Sequence, residues 1–277
     1  MTHPLITAKA LDEALSGVTP PVILDCRVRL ADPEAGKQLW REGHVPGSLH
    51  LDLERDLSGV GAPGGGRHPL PARDAFRDTL QRLGVSPDRP IVVLDDMGGQ
   101  LAAARAWWML SHWAGHPEVQ LLDGGLAAWE AFGGEWEVGD GADVTPSRWQ
   151  PVFDDSGLVG LEEMATSAAL KVDARASERF RGDSESLDPR AGHIPGAVNR
   201  PCSENLDEQG LFKSSQQLDA ELPHAEAVIA YCGSGVTACH DLLAYQLAGR
   251  TLPRLYVGSW SEWSADPQRP AATGVAG

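Results

Sequence analysis

The chain has 277 residues, with 23 Lys and Arg against 39 Asp and Glu, giving a formal charge of −16. Such a surface repels phosphate backbones and anionic lipid, which argues against nucleic-acid binding through a basic face, and the 42% hydrophobic content is ordinary for a globular fold. The four cysteines, Cys26, Cys202, Cys232 and Cys239, form no C-x-x-C pair, so neither a disulfide scaffold nor a zinc site is expected.

The opening MTHPLITAKALDEALSG has no basic-then-apolar leader, and the expectation is a cytoplasmic protein with reduced thiols. Val22–Asp25, Ile91–Leu94 and Val119–Leu122 are short apolar runs that read as buried strands. Pro71–Leu83 and Leu101–Ser111 read as helices, the first entered through proline. The most apolar stretch, LAAARAWWML, is short and interrupted by Arg105, so no membrane span is expected. Residues 137–157 are rich in Gly, Pro and Asp and lack periodicity, as linkers do. Beyond them the scheme repeats: a helix over Leu161–Leu170, a strand over Lys171–Asp173, a helix over Gln216–Leu222, a strand over Val228–Tyr231 and a helix over Thr237–Leu247. Strand–helix alternation implies an α/β fold with mostly parallel sheets covered on both faces, and chemistry at the carboxyl ends of strands.

The two halves resemble each other block by block. VILDCRVRL at 22–30 matches LKVDARASERF at 170–180, GHVPG at 43–47 matches GHIPG at 192–196, IVVLD at 91–95 matches VIAYC at 228–232, and GGLAAW at 124–129 matches GSWSEW at 258–263. Two similar domains follow, 1–140 and 156–277. The first half carries roughly 13 extra residues between the second and third blocks, within SGVGAPGGGRHPLP at 58–71. This glycine-rich insert holds Arg67 and His68, and is either a tolerated surface loop or one reaching toward a site in the other domain.

Cys232 ends the strand AVIAY and opens CGSGVTACHDLL. Gly233 and Gly235 allow a tight curl that aims amide N–H groups inward, and the helix beginning near Thr237 adds its dipole. Both effects favour a thiolate, which is a nucleophile, and the same nest would hold a charged product on its sulfur. The first half is an internal control: Asp96, in LDDMGGQLAAAR, is matched to Cys232, so that domain is expected to be catalytically silent. A C-x5-R phosphatase loop needs arginine where Ala238 stands. His240 lies eight residues on, too far along a helix to act as base, and Cys239 at seven residues on reads as core rather than as a resolving thiol. Acceptance of a sulfur atom by Cys232 remains.

These segments resemble the two-domain sulfurtransferases of the rhodanese and 3-mercaptopyruvate sulfurtransferase family. DCRVRL…GHVPGSLHLDLE, AARAWWML, LLDGGLAAW, VDARASERFRG, RAGHIPGAVNRP and CGSGVTA carry the resemblance, which covers nearly the whole chain. It implies two tandem rhodanese-like domains, a persulfide on Cys232 held by Gly233, Ser234, Gly235, Val236 and Thr237, and no cofactor or metal. Members favouring thiosulfate tend to carry two basic residues after the cysteine; here Gly233 and Ser234 stand there, which favours 3-mercaptopyruvate, with pyruvate as product. Thiosulfate:cyanide sulfurtransfer and a non-catalytic persulfide carrier are the alternatives. The implied acceptor is a thiol such as thioredoxin, or cyanide in vitro. Two substrate-holding arginines map onto Arg179 and, displaced in a shorter segment, Arg190. A carboxylate–histidine–serine relay maps onto Glu54, His68 and Ser234. His44 and His193 occur in both halves and read as turn braces; Asp25/Arg27 and Asp173/Arg175 read as structural pairs.

Overall fold

The computed structural model describes residues 3–61, 64–141 and 143–275. By contact density the chain divides into two units, each built on its own parallel sheet. The first comprises Met1–Ser58, Pro71–Asp154 and the short stretch Gln209–Leu211; the second comprises Gly59–Leu70, Asp155–Glu208 and Phe212–Gly277. The glycine-rich insert therefore packs as part of the second unit, although it precedes the joint by some seventy residues.

In the first unit β1 (Leu5–Ile6), β2 (Val22–Asp25), β3 (Leu49–His50), β4 (Ile91–Leu94) and β5 (Val119–Leu122) lie in the order β1-β5-β4-β2-β3, every pair parallel. β2 and β4 are buried at all four residues, because helices cover both faces and a strand in such a sheet must be apolar throughout. Ile23, Val92, Leu94 and Leu122 form one core face with Leu11 and Trp129. The helix Ala102–Trp108 is buried along its whole length, and its three leading alanines give it a narrow side that can be enclosed. It runs on as a π-helical turn, Met109–Trp113, past the end expected for it at Ser111.

The second unit has β6 (Leu170–Asp173), β7 (Ala197–Asn199), β8 (Val228–Tyr231) and β9 (Arg254–Leu255) in the order β7-β6-β8-β9, again all parallel. Its core gathers Met164, Phe180, Ile194, Ile229, Tyr231, Tyr256, Trp260 and Trp263. The expected helix over Leu161–Leu170 stops at Thr166, and Leu170 opens β6 instead. No helix among the described residues is long and apolar enough to cross a membrane.

The repeated pairs have the same geometry in both units. Arg27 chelates Asp25 and donates to Gly43 O at 2.7 Å; Arg175 chelates Asp173 and donates to Gly192 O at 2.7 Å. Each arginine thus ties the end of a strand to the turn that leads into the next. His44 stacks on Trp40 with Nδ1 2.7 Å from Trp40 O, and His193 stacks on Phe180 with Nδ1 2.7 Å from Phe180 O. Both imidazoles brace their turns.

Strand register corrects one equivalence. Asp25 pairs with Leu94 and Asp173 with Tyr231, so the residue in step with Cys232 is Asp95, not Asp96. The block match of IVVLD with VIAYC already sets Asp95 opposite Cys232, and the register agrees with it rather than with Asp96. Asp96 instead points to Arg29, at 2.6 Å.

Candidate active site

β8 ends at Tyr231, and Cys232 begins the loop that turns into the helix Ala238–Leu247. Three contacts from the segment after β9 hold the backbone of this loop. Ser259 Oγ accepts the Cys232 N–H at 3.1 Å, Trp260 N–H donates to Cys232 O at 3.0 Å, and Ser261 N–H donates to Gly233 O at 2.9 Å. Ser259 sits at φ 54°, a left-handed conformation that costs a non-glycine residue energy. Its hydroxyl offsets that cost by accepting from Cys232 and donating to Tyr256 O at 2.9 Å.

Within the loop, Gly235 N–H donates to Cys232 Sγ at 3.1 Å. An N–H directed at sulfur stabilises negative charge there. Gly235 has φ 74°, and a Cβ on it would lie 2.4 Å from Val257 O, so the curl that aims this amide requires glycine. Val236 and Thr237 close the loop: their carbonyls accept from Cys239 and His240, starting the helix. Cys239 lies in the core with its thiol donating to Gly235 O at 3.5 Å. His240 is fully buried, stacked on Phe212 and 3.2 Å from Asn205 Nδ2. Burial, aided by neighbouring Asp25, pushes the Cys26 thiol well up, and burial with Asp241 does the same for Cys202, so neither is a ready nucleophile.

The insert brings two further groups. His68 Nδ1 lies 2.7 Å from Ser234 Oγ, both side chains buried. Anchors along the insert fix this approach: Gly65 N–H donates to Glu262 Oε1 at 3.0 Å and Arg67 N–H to Ser261 Oγ at 3.1 Å. A Cβ on Gly66 would lie 2.4 Å from both Gly258 O and Ser261 Oγ, so the close approach here also needs glycine. Glu54 lies in the first unit, in the turn after β3, its N–H bonded to Asp52 Oδ1 at 2.8 Å.

Arg179, on the short helix Ser177–Arg181 after β6, faces the loop: a carbon added to Gly233 would lie 3.4 Å from its Nη1. Its other nitrogens are bidentate to Glu185 and 2.9 Å from Asp188 Oδ2. No hydrogen bond from the Arg190 side chain to the loop is found among the described residues, and its Nε and Nη2 are buried without a partner. Its Nη1 donates to the carbonyls of Pro267 and Arg269, and its own carbonyl accepts from Trp260. The nitrogen that does approach Gly233 beside Arg179 belongs to Arg67, whose Nη2 would be 3.0 Å from that added carbon. Ser259, Asp188, Glu185 and the guanidinium of Arg67 have no assigned part in the sequence reading. Ser259 was visible as a departure, since the matching residue of the first repeat is Gly125.

The rhodanese-like domain model matches residues 7–132 and again 161–266. The chain belongs to the rhodanese family. A Pseudomonas aeruginosa protein named "Probable 3-mercaptopyruvate sulfurtransferase" is 45% identical over 98% of each chain. "Thiosulfate sulfurtransferase" of Gallus gallus is 35% identical over 95% of each. The crystal structure of SseA from Escherichia coli, described as a 3-mercaptopyruvate sulfotransferase, superimposes with a TM-score of 0.80 at 32% identity, covering 94% of this chain and all of that one. This rhodanese is accordingly a sulfurtransferase, an enzyme made of two rhodanese-like domains with parallel sheets flanked by helices.

Proposed function

We propose that the chain takes sulfur from 3-mercaptopyruvate onto Cys232 and passes it to a thiol. The Cys232 thiolate attacks the donor's sulfur; the carbon–sulfur bond breaks and its electron pair stays on carbon as the enolate of pyruvate. The enolate takes the proton that the donor's thiol carried, leaving pyruvate and a Cys232 persulfide anion. An acceptor thiolate then attacks the outer sulfur and regenerates the Cys232 thiolate. Cyanide in place of the thiol yields thiocyanate.

The observation that carries this reading is the 2.7 Å contact between His68 and Ser234, beside a cysteine whose sulfur already accepts an amide N–H. A carbon leaving group needs a proton; Ser234, polarised by the imidazole, can relay the donor thiol's proton to that carbon. Sulfite leaving from thiosulfate is stable as an anion and needs none. The charge balance agrees. The two loop positions after Cys232 are uncharged, whereas one unpaired cation about 4 Å away would supply roughly 4 kcal/mol toward thiosulfate's second charge. The name carried by the Pseudomonas aeruginosa relative supports the same donor.

Steady-state kcat/KM for 3-mercaptopyruvate and for thiosulfate, with cyanide as common acceptor, tests the proposal. A higher value for 3-mercaptopyruvate is expected; a clear preference for thiosulfate overturns it. Mass spectrometry after a single turnover separates an enzyme from a passive carrier. Cys232 should gain one sulfur atom from the donor and lose it to the acceptor; a mass that is gained and retained supports the carrier.

A further inference from the structure

The loop of Cys232 is overlooked by two guanidinium groups that reach it from different parts of the chain. Arg67 comes from the insert and Arg179 from the helix after β6. Their Nη2 and Nη1 lie 3.0 and 3.4 Å from the point where a Gly233 side chain would begin. Among the described residues neither nitrogen is hydrogen-bonded, while Arg67 Nη1 and Arg179 Nε and Nη2 are held. Arg67 Nη1 is paired with Asp188, and Arg179 is paired with both Asp188 and Glu185. Asp188 is 1% exposed and bridges the two arginines, one oxygen to each. Glu185, 4% exposed, accepts the N–H groups of Leu187 and Asp188 and so fixes the position of that bridge. The result is two donors aimed at one place by buried carboxylates, with little net charge between them. Arg67 also borders a cleft of about 330 Å³ with Leu187, Asp188, Pro189 and Ser261.

We propose that Arg67, and not Arg190, is the second arginine that holds the donor's carboxylate, acting with Arg179 above Gly233. This rests on the donor class argued above. Two fixed N–H donors suit a planar carboxylate with an adjacent keto oxygen, and the paired carboxylates keep the cradle from over-binding a dianion. Arg67 and His68 are consecutive, so one short insert delivers both the group that holds the donor and the group that acts on its leaving carbon. Asp188 is a positioning residue: it orients both arginines and touches no donor atom.

The test compares Arg67→Gln, Arg67→Lys and Arg190→Gln, with 3-mercaptopyruvate and thiosulfate as donors and pyruvate as a competitive ligand lacking sulfur. Losing one charge-assisted contact should raise KM for 3-mercaptopyruvate about tenfold in Arg67→Gln, with kcat falling far less. Pyruvate inhibition should weaken by a similar factor. Arg67→Lys, which keeps the charge but loses the fork, should recover part of the loss. Arg190→Gln should leave KM within about twofold. An unchanged KM and pyruvate affinity in Arg67→Gln, or a larger rise in Arg190→Gln, overturns the assignment. If thiosulfate proves the preferred donor, the donor proposal fails by itself; a tenfold weakening of pyruvate inhibition in Arg67→Gln still sustains the arginine's hold on a carboxylate, and unchanged pyruvate inhibition ends it.

Discussion

Asp95 and Cys232 occupy the same step of their two sheets, and each fills the loop that follows it. Each comes directly after the strand residue paired with the aspartate of an Asp–Arg brace, and each carbonyl accepts an amide N–H from the helix that follows the next strand. In the first unit the Asp95 carboxylate takes the N–H groups of Met97, Gly99 and Ala103, at 2.9, 2.8 and 3.4 Å. In the second, the sulfur of Cys232 takes that of Gly235. The first loop is thus occupied from within by its own oxygen atoms, whereas the second offers its donor to an atom that can react.

Cys232→Ser is expected to abolish turnover with either donor while leaving the melting temperature and circular dichroism unchanged within error. The hydroxyl is smaller but still accepts from Gly235. Restoring a thiol in the other unit, as Asp95→Cys on top of Cys232→Ser, should not restore transfer, because Arg67, Arg179 and His68 all belong to the second unit. Intact-protein mass after donor treatment reads both outcomes; sulfur bound by the double variant would contradict the reading.

Gly235→Ala should damage stability and chemistry together. A methyl group there meets Val257 O at 2.4 Å and the backbone sits at φ 74°, so the loop must rebuild at a cost of about 2 kcal/mol or more. Rebuilding swings the N–H away from sulfur. A thermal melt lowered by several degrees and a kcat lowered at least tenfold are expected; wild-type kinetics would show that the N–H···S contact has no role.

His68→Ala should slow 3-mercaptopyruvate turnover by about a hundredfold, the scale of a lost proton-transfer group, and thiosulfate turnover far less. The comparison is internal to one variant, so any general loosening of the insert affects both donors alike. Equal slowing would assign His68 a structural part only.

Asp241 gives a pH prediction for the second unit. Burial pushes its carboxyl up to about 8, against the lowering effects of the Asn205 hydrogen bond and of Arg200. Its Oδ1 accepts from Asn205 at 2.7 Å, and its Oδ2 lacks a partner. A folded-state value above the unfolded one means that the folded protein keeps the proton longer. The associated stability is complete below about pH 4 and drains away as pH rises toward 8, at up to about 1.4 kcal/mol per pH unit. Asp241→Asn removes that slope. Melting curves from pH 5 to 8 should therefore move in favour of the variant by several degrees relative to wild type; parallel curves would place the proton elsewhere.

The central strands β2, β4, β5 and β8 were legible from their apolar runs, and so were the repeats, since Asp–Arg and Gly–His–x–Pro–Gly recur with their geometry. The edge strands Leu5–Ile6 and Arg254–Leu255 are two residues long and have no periodicity to read; only pairing defines them. The loop of Cys232 and the pairing of His68 with Ser234 followed from glycines and from the resemblance. The hydrogen bonds of Arg190 to the carbonyls of Pro267 and Arg269 could not be read from the chain, because spacing says nothing about which way a guanidinium turns. Arg67 stood in view beside His68, but the role proposed for it rests on its pairing with Asp188, more than a hundred residues away, and a contact of that kind leaves no trace in local sequence.

The compact body that bears Cys232 is assembled from three separate lengths of chain, and three residues from its middle are counted with the other body. A gene cut at the Gly- and Pro-rich joint would therefore yield a carboxyl-terminal fragment with its sulfhydryl but stripped of Arg67 and His68. Each unit draws on chain from both sides of that joint, so a cut there takes a piece from each.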